Sequence, residues 1–210
     1  NWFVPFILFF IAFAGFAQPD AQWPAVTRTM RPWAYNWWMG SAVDETNLLA
    51  ELNAFHDAGM GGIHIIPIYQ AVGGESNSIP YLSDRWMQML KFAVEKGGTL
   101  DLGVDMTTGT GWCFGGPAIK RDEGVEDLRI GRSEKELRKG DALLWKGSNA
   151  VLFTHFTGLN VKRAAPGGVG LMLNPIYRKA MEEHLAPFTA AFGKPGVVGP
   201  RAMYHDSFEY

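Results

Sequence analysis

Carboxylates set among glycines and flat aromatic rings recur in this chain, and that combination suits chemistry on a hydroxylated ring. Residues 103–117, GVDMTTGTGWCFGGP, place Asp105 at the end of an apolar run, ahead of Gly109, Gly111, Gly115 and Gly116, with Trp112 and Phe114 between the glycines. Glycine lets a backbone take positive φ or come close to a ligand, and an aromatic ring offers a flat apolar face for stacking. A tight turn around a packed tryptophan is the plainer alternative. The last residues, MYHDSFEY (203–210), add His205, Asp206 and Glu209.

Cleaving a glycoside requires one carboxylic acid to protonate the leaving oxygen and a second carboxylate to activate water or attack carbon. Glu209 is the candidate catalytic residue, against an ion pair or a helix N-terminal charge. Asp206 is placed to orient His205 or Glu209, or to cap a turn. Asp105 suits sugar hydroxyls, or order in its own loop, better than acid catalysis. Trp37, Trp38 and Trp112 are candidates for stacking, the first two against an equal reading as core, and Tyr69 and His205 follow them as sugar contacts. His64, inside a run of isoleucines, reads as a satisfied buried histidine. One carboxylate does not make a catalytic pair.

The elements that must position these residues alternate apolar strands with amphipathic helices, the pattern of a parallel α/β fold. Strands are expected at Trp33 to Met39, Ile63 to Ile68, Leu100 to Asp105 and Ala202 to Asp206. Asp44 caps a first helix bearing Leu48, Leu49, Leu52 and Phe55, which Gly59 ends. Ser83 caps a second that buries Trp86, Met89, Leu90, Ala93 and Val94, closed by Gly97 and Gly98. A third runs from Pro175 to Phe192. The charged stretch from about 120 to 160 reads as a small β insertion. Four strands and three helices are half of a (β/α)8 TIM-like barrel. Such barrels carry their active sites at the C-terminal strand ends, which is where the unusual residues fall.

Five motifs in order, RPWAYNWWMGSAV (31–43), AGMGGIHIIPIY (58–69), residues 103–117, VKRAAPGGVGLMLNP (161–175) and MYHDSFEY (203–210), resemble the N-terminal part of the catalytic region of glycoside hydrolase family 106, the α-L-rhamnosidases. The resemblance implies a glycosidase that removes terminal α-L-rhamnosyl residues from glycans or glycosides with inversion, assisted by calcium. It leaves the metal ligands unassigned, and it puts the acid and base partly or wholly beyond Tyr210. On this reading 18–210 is a partial catalytic domain, inactive alone. The departures are His64 where the family has Glu, Cys113 where it has Pro, and a shorter segment between Ile119 and Val161. The competing class is a carbohydrate-binding protein without the catalytic pair.

Composition narrows the partners. The 210 residues are 47% hydrophobic and carry a net charge of −2 with scattered basic residues, so the chain folds and offers no footprint for nucleic acid. The lone Cys113 excludes an intrachain disulfide or a multi-cysteine zinc site and reads as a small buried hydrophobe. Residues 2–17, WFVPFILFFIAFAGFA, read as a signal peptide with Gly15 and Ala17 before the cleavage point. That implies a secreted or periplasmic protein without stable membrane association after cleavage. An uncleaved anchor on a structural domain is the alternative. N-terminal sequencing of exported protein should therefore begin at Gln18, whereas recovery of Trp2 would establish the anchor.

Overall fold

The computed structural model describes residues 23–207. The signal-peptide assignment to residues 1–17 and the candidate Glu209 lie outside them. The elements run β1 (Trp33–Met39), α1 (Glu45–Asp57), β2 (Gly62–Ile68), α2 (Asp84–Thr99), β3 (Gly103–Thr107), β4 (Gly115–Gly116), β5 (Glu126–Gly131), β6 (Ala142–Lys146), β7 (Val151–Phe156), β8 (Leu171–Met172), α3 (Arg178–Phe192) and β9 (Ala202–Tyr204). Strands β1, β2, β3 and β9 pair in that order, every pair parallel. Helices link the first three strands, and the longer connection from β3 to β9 contains α3. Strands β5, β7 and β6 form a separate antiparallel sheet within 126–156, and β4 pairs with β8.

Capping fixes where the helices begin. The Asp44 carboxylate accepts from the Asn47 amide at 2.9 Å, and the Ser83 hydroxyl accepts from the Trp86 amide at 3.3 Å, each satisfying an N–H that the first helical turn leaves open. At the other end α1 stops before Gly59, whose φ of +75° is the left-handed geometry that ends a helix. Helix α2 runs through Gly97 and Gly98 to Thr99, later than their usual helix-ending role suggests. The reason is contact: a Cβ on Gly97 would come within 2.9 Å of the Val104 side chain, so this glycine lets helix and strand approach closely.

One face of the parallel sheet is covered. Trp38, Ile63, Ile65, Val104 and Met106 pack with Leu48 and Leu52 of α1, Trp86, Met89, Leu90 and Ala93 of α2, and Phe188 of α3. Trp38 and Trp86 meet edge to face at 5.5 Å, and the Trp86 indole N–H donates to Ser41 Oγ at 3.0 Å. Trp38 is 1% exposed, so it is a core residue and not the stacking surface that the sequence left open. The pleat turns its neighbours the other way, and Trp37 is 47% exposed.

The third strand corrects a boundary. It spans Gly103–Thr107, so Asp105 lies at its middle instead of its end, paired in register with His64 and Ala202. The opposite face of the sheet begins with Trp33, whose ring occupies the space over Gly62 and Gly103. A Cβ would fall 2.4 Å from that ring at Gly62 and 2.1 Å from it at Gly103. Glycine in two strand interiors thus admits one indole. Truncating Trp38 to alanine should cost about 3–5 kcal/mol in urea denaturation, and truncating Trp37 under about 1 kcal/mol. Equal losses at the two sites would contradict the assignment of faces.

Candidate functional site

The face that the helices leave uncovered carries Tyr35 and Trp37 of β1, His64 of β2, Asp105 of β3 and Tyr204 of β9. Parallel register puts them side by side: Tyr35 is level with His64 and Asp105, and Thr107 with Tyr204. Tyr35 and Tyr204 lie parallel with ring centroids 6.4 Å apart, and His64 meets Tyr204 edge-on at 5.1 Å and Trp33 at 5.4 Å. The result is a surface of rings, half exposed along β1 and deeper toward β3.

Loops close over the C-terminal ends of β1 and β2. The Gly111 amide donates to the Pro67 carbonyl at 2.7 Å, the Trp112 amide to the Lys162 carbonyl at 3.1 Å, and the Tyr69 amide to the Arg163 carbonyl at 3.1 Å. Gly111 has φ +58°, and a Cβ there would sit 2.0 Å from the Lys162 carbonyl oxygen, so only glycine permits this junction. The junction sets Trp112 edge-on to Trp37 at 6.2 Å and lays the Arg163 guanidinium 5.1 Å over the Tyr69 ring. Two expected residues, Trp112 and Tyr69, therefore share this rim with Trp37. Cys113 is buried with Val125 and Met172, as a small hydrophobe would be.

Asp105 has a different place from the one its sequence context suggests. Its side chain is 4% exposed, and Arg201 grips it with two bonds, Nε donating to Oδ1 at 3.0 Å and Nη2 to Oδ2 at 2.6 Å. His64 Nδ1 lies 3.5 Å from the same carboxylate, without hydrogen-bond alignment. Arg201 also stacks 4.4 Å over the Trp33 ring. A carboxylate held this way fixes its neighbours instead of reading sugar hydroxyls. Arg201 and Tyr204 were missed, since no local signal announces the partner of a buried aspartate 96 residues away.

His205 follows β9 and stacks on Phe114 at 3.7 Å, while Asp206 is exposed beyond it. Burial lowers the His205 pKa from its ordinary value, opposed by the Ser207 backbone and the Asp206 charge. Burial likewise lowers His64, with Asp105 opposing and the Arg201 charge reinforcing the shift. Among the described residues no three or more His, Cys, Asp or Glu converge as a metal site. Nor, among them, is any helix long and apolar enough to cross a membrane.

A parallel α/β sheet with a ring-lined face and glycine-rich loops at its strand ends defines the class, and comparison with known proteins supplies the family. Residues 24–148 match the glycoside hydrolase family 106 profile, described as alpha-L-rhamnosidase, and the chain belongs to that family. Among solved structures, a rhamnosidase from Novosphingobium sp. PP1Y aligns at 21% identity and a TM-score of 0.41 over 56% of this chain. The chain spans 10% of that protein's length. Comparison with curated proteins gives no match.

The histidines set a pH dependence. His64, His184 and His205 all have pKa values lowered in the folded state, chiefly by burial. The unfolded chain then binds protons that the native state refuses. Stability is complete above the ordinary histidine value of 6.5 and falls as pH drops through it toward the lowered folded values. Urea midpoints should accordingly fall between pH 7.5 and 5.5. Arg201→Ala should raise the His64 titration followed by ring NMR signals, since it removes a repelling charge and leaves Asp105 facing the imidazole. An unchanged His64 titration would show that Arg201 does not govern it.

Proposed function

We propose that this chain supplies sugar-facing strand ends to an inverting α-L-rhamnosidase acting on rhamnose-containing glycans or glycosides. Family membership supports the reaction class. The observation that carries the chain's own part is the contact of Trp37 with Trp112 at the C-terminal end of the sheet, beside Tyr69 and Arg163. Indole and phenol faces shield the apolar face of a pyranose, while Arg163 donates hydrogen bonds but cannot act as a base. The four parallel strands are read as part of a (β/α)8 barrel, whose interior the ring-lined face would line. Secretion or periplasmic export and a calcium requirement belong to the same proposal, with the metal's ligands unassigned.

Inversion needs two carboxylates about 6.5–9.5 Å apart, with water between one of them and the sugar. Asp105, committed to Arg201, serves as neither. Glu209 is carried as the one candidate from this chain, its partner coming from elsewhere in the catalytic region. Tyr35, His64 and Tyr204 form the floor beneath the rim. Their role is to exclude water and hold Trp37 in place.

The 210-residue chain alone should show no turnover of an aryl α-L-rhamnoside, whereas the complete catalytic region should hydrolyse it. In the complete protein, Glu209→Gln should lower kcat by at least about a hundredfold. Trp112→Ala should raise KM by about tenfold with a smaller effect on kcat, as expected for lost ring stacking. Full activity of the 210-residue chain would overturn the division of the catalytic pair. A complete protein that binds rhamnosides but never cleaves them would leave a carbohydrate-binding module instead.

A further inference from the structure

The glycine loop after β3 also borders a cavity that none of the ring-lined surface's residues line. Gly109, Thr110 and Gly115 to Ile119 roof this cavity of about 180 Å3, whose floor is α3. His184, Pro187 and Phe188 form that floor, Tyr81 and Leu82 close one flank, and Gly167 and Gly168 the other. The volume is below the ~300 Å3 at which drug-sized pockets begin, and suits a ligand of monosaccharide size.

Two residues that line this cavity carry buried hydroxyls without a hydrogen bond of good geometry. Thr110 is 4% exposed, and its buried hydroxyl makes no hydrogen bond among the described residues. The Tyr81 hydroxyl is also buried, with the Gly109 backbone near its oxygen but no hydrogen bond of good geometry. Burial raises its pKa, so it stays a neutral phenol able to donate. Leaving such groups unsatisfied costs about 1–3 kcal/mol each, which a bound hydroxyl would recover. At the wall, Pro187 lies inside α3 and has no N–H, so the Glu183 carbonyl loses its usual i+4 donor. The Glu183 side chain is the only ionised group in the lining, and no lysine or arginine is present to hold an anion.

His184 is already engaged. Its Nε2 lies 3.0 Å from the Thr108 carbonyl and its ring meets Phe114 at 5.1 Å and Phe188 at 5.6 Å. Burial lowers its pKa, against the pull of the Thr108 and Gly115 carbonyls, so the ring presents no fixed charge at neutral pH. The remaining surface is apolar, with Leu82, Ile119, Pro187 and Phe188 around the two hydroxyls.

We infer that this cavity between α3 and the glycine loop is a binding site for a neutral, hydroxylated ring of monosaccharide size, separate from the ring-lined face and independent of whether the chain takes part in cleavage. The ligand's hydroxyls meet Thr110, Tyr81 and Glu183, and its apolar side lies against Phe188 and Pro187. Occupancy ties α3 to the loop that carries Trp112, so sugar bound here would steady the rim of the other site.

The test uses L-rhamnose as probe and the intact chain, followed by histidine ring signals in NMR. His184 reports the cavity and His64 the ring-lined face, so the two sites are read separately. L-Rhamnose should shift the His184 signal saturably. Ala118→Trp, a change at an exposed position on the cavity mouth, should abolish that shift, and Thr110→Val should weaken it about tenfold, the effect of one lost hydrogen bond in a desolvated site. A shift at His64 with none at His184 would overturn the inference while supporting the ring-lined face as a sugar surface. A His184 shift that survives Ala118→Trp would also overturn it. So would saturable binding of ethylammonium in place of L-rhamnose, since the cavity would then be a cation site built on Glu183.

Discussion

Packing Trp38 against Trp86 commits the pleat of β1, and most of the open face follows from that commitment. Side chains alternate along a strand, so a register that buries Trp38 must present Trp33, Tyr35, Trp37 and Met39 on the other side. The Ser41 hydroxyl accepts the Trp86 indole N–H, and Asn36, on the same face as Trp38, donates to Glu51 Oε2 at 3.0 Å. Those polar anchors give the seam between sheet and helices a single register. A slip of one residue would bury Trp37 and Tyr35 and expose Trp38, losing the core and the ring surface together.

The charged cluster at mid-sheet makes the same face rigid. Arg201 reaches Asp105 with both ends of its fork and covers Trp33, whose ring in turn fills the space over Gly62 and Gly103. Bidentate geometry leaves Asp105 little freedom to turn toward a ligand. His64 then sits between an acid already neutralised and aromatic edges, which favours its uncharged form. The resemblance leads to an expected Glu at position 64, where this chain has His. A second carboxylate 3.5 Å from Asp105 would repel it, so histidine is the choice compatible with this Asp105–Arg201 arrangement.

Local chemistry made the elements readable, whereas long-range partners did not. Asp44 and Ser83 announced their helices because a cap depends on residues three positions away. The insertion was legible from its charged and alternating composition. Strand β3 was placed too early because an aspartate reads as a terminator, and nothing near Asp105 shows that Arg201 will neutralise it. Trp37 and Trp38 were equally eligible for core or surface until α2 supplied a partner for one of them. Trp112 was marked by its glycines, but the reason for Gly111 is the carbonyl of Lys162, 51 positions on.

That dependence explains why a loop so rich in glycine can still hold a defined shape. Gly111 is fixed by Pro67 on one strand end and by the Lys162 carbonyl against it, while Gly115 and Gly116 pair with Met172 and Leu171. A Cβ on Gly115 would fall 2.2 Å from the Leu171 carbonyl, so this glycine too is required by close backbone approach. Each contact removes freedom that the glycines would otherwise retain, and together they leave the loop two working sides. One holds Trp112 against Trp37. The other roofs the cavity over α3, where two side-chain hydroxyls and the Glu183 carbonyl are short of partners. A ligand entering that cavity meets those hydroxyls, the Glu183 carbonyl and carboxylate, and apolar walls, with no lysine or arginine in the lining, which makes a small neutral sugar a better occupant than an anion.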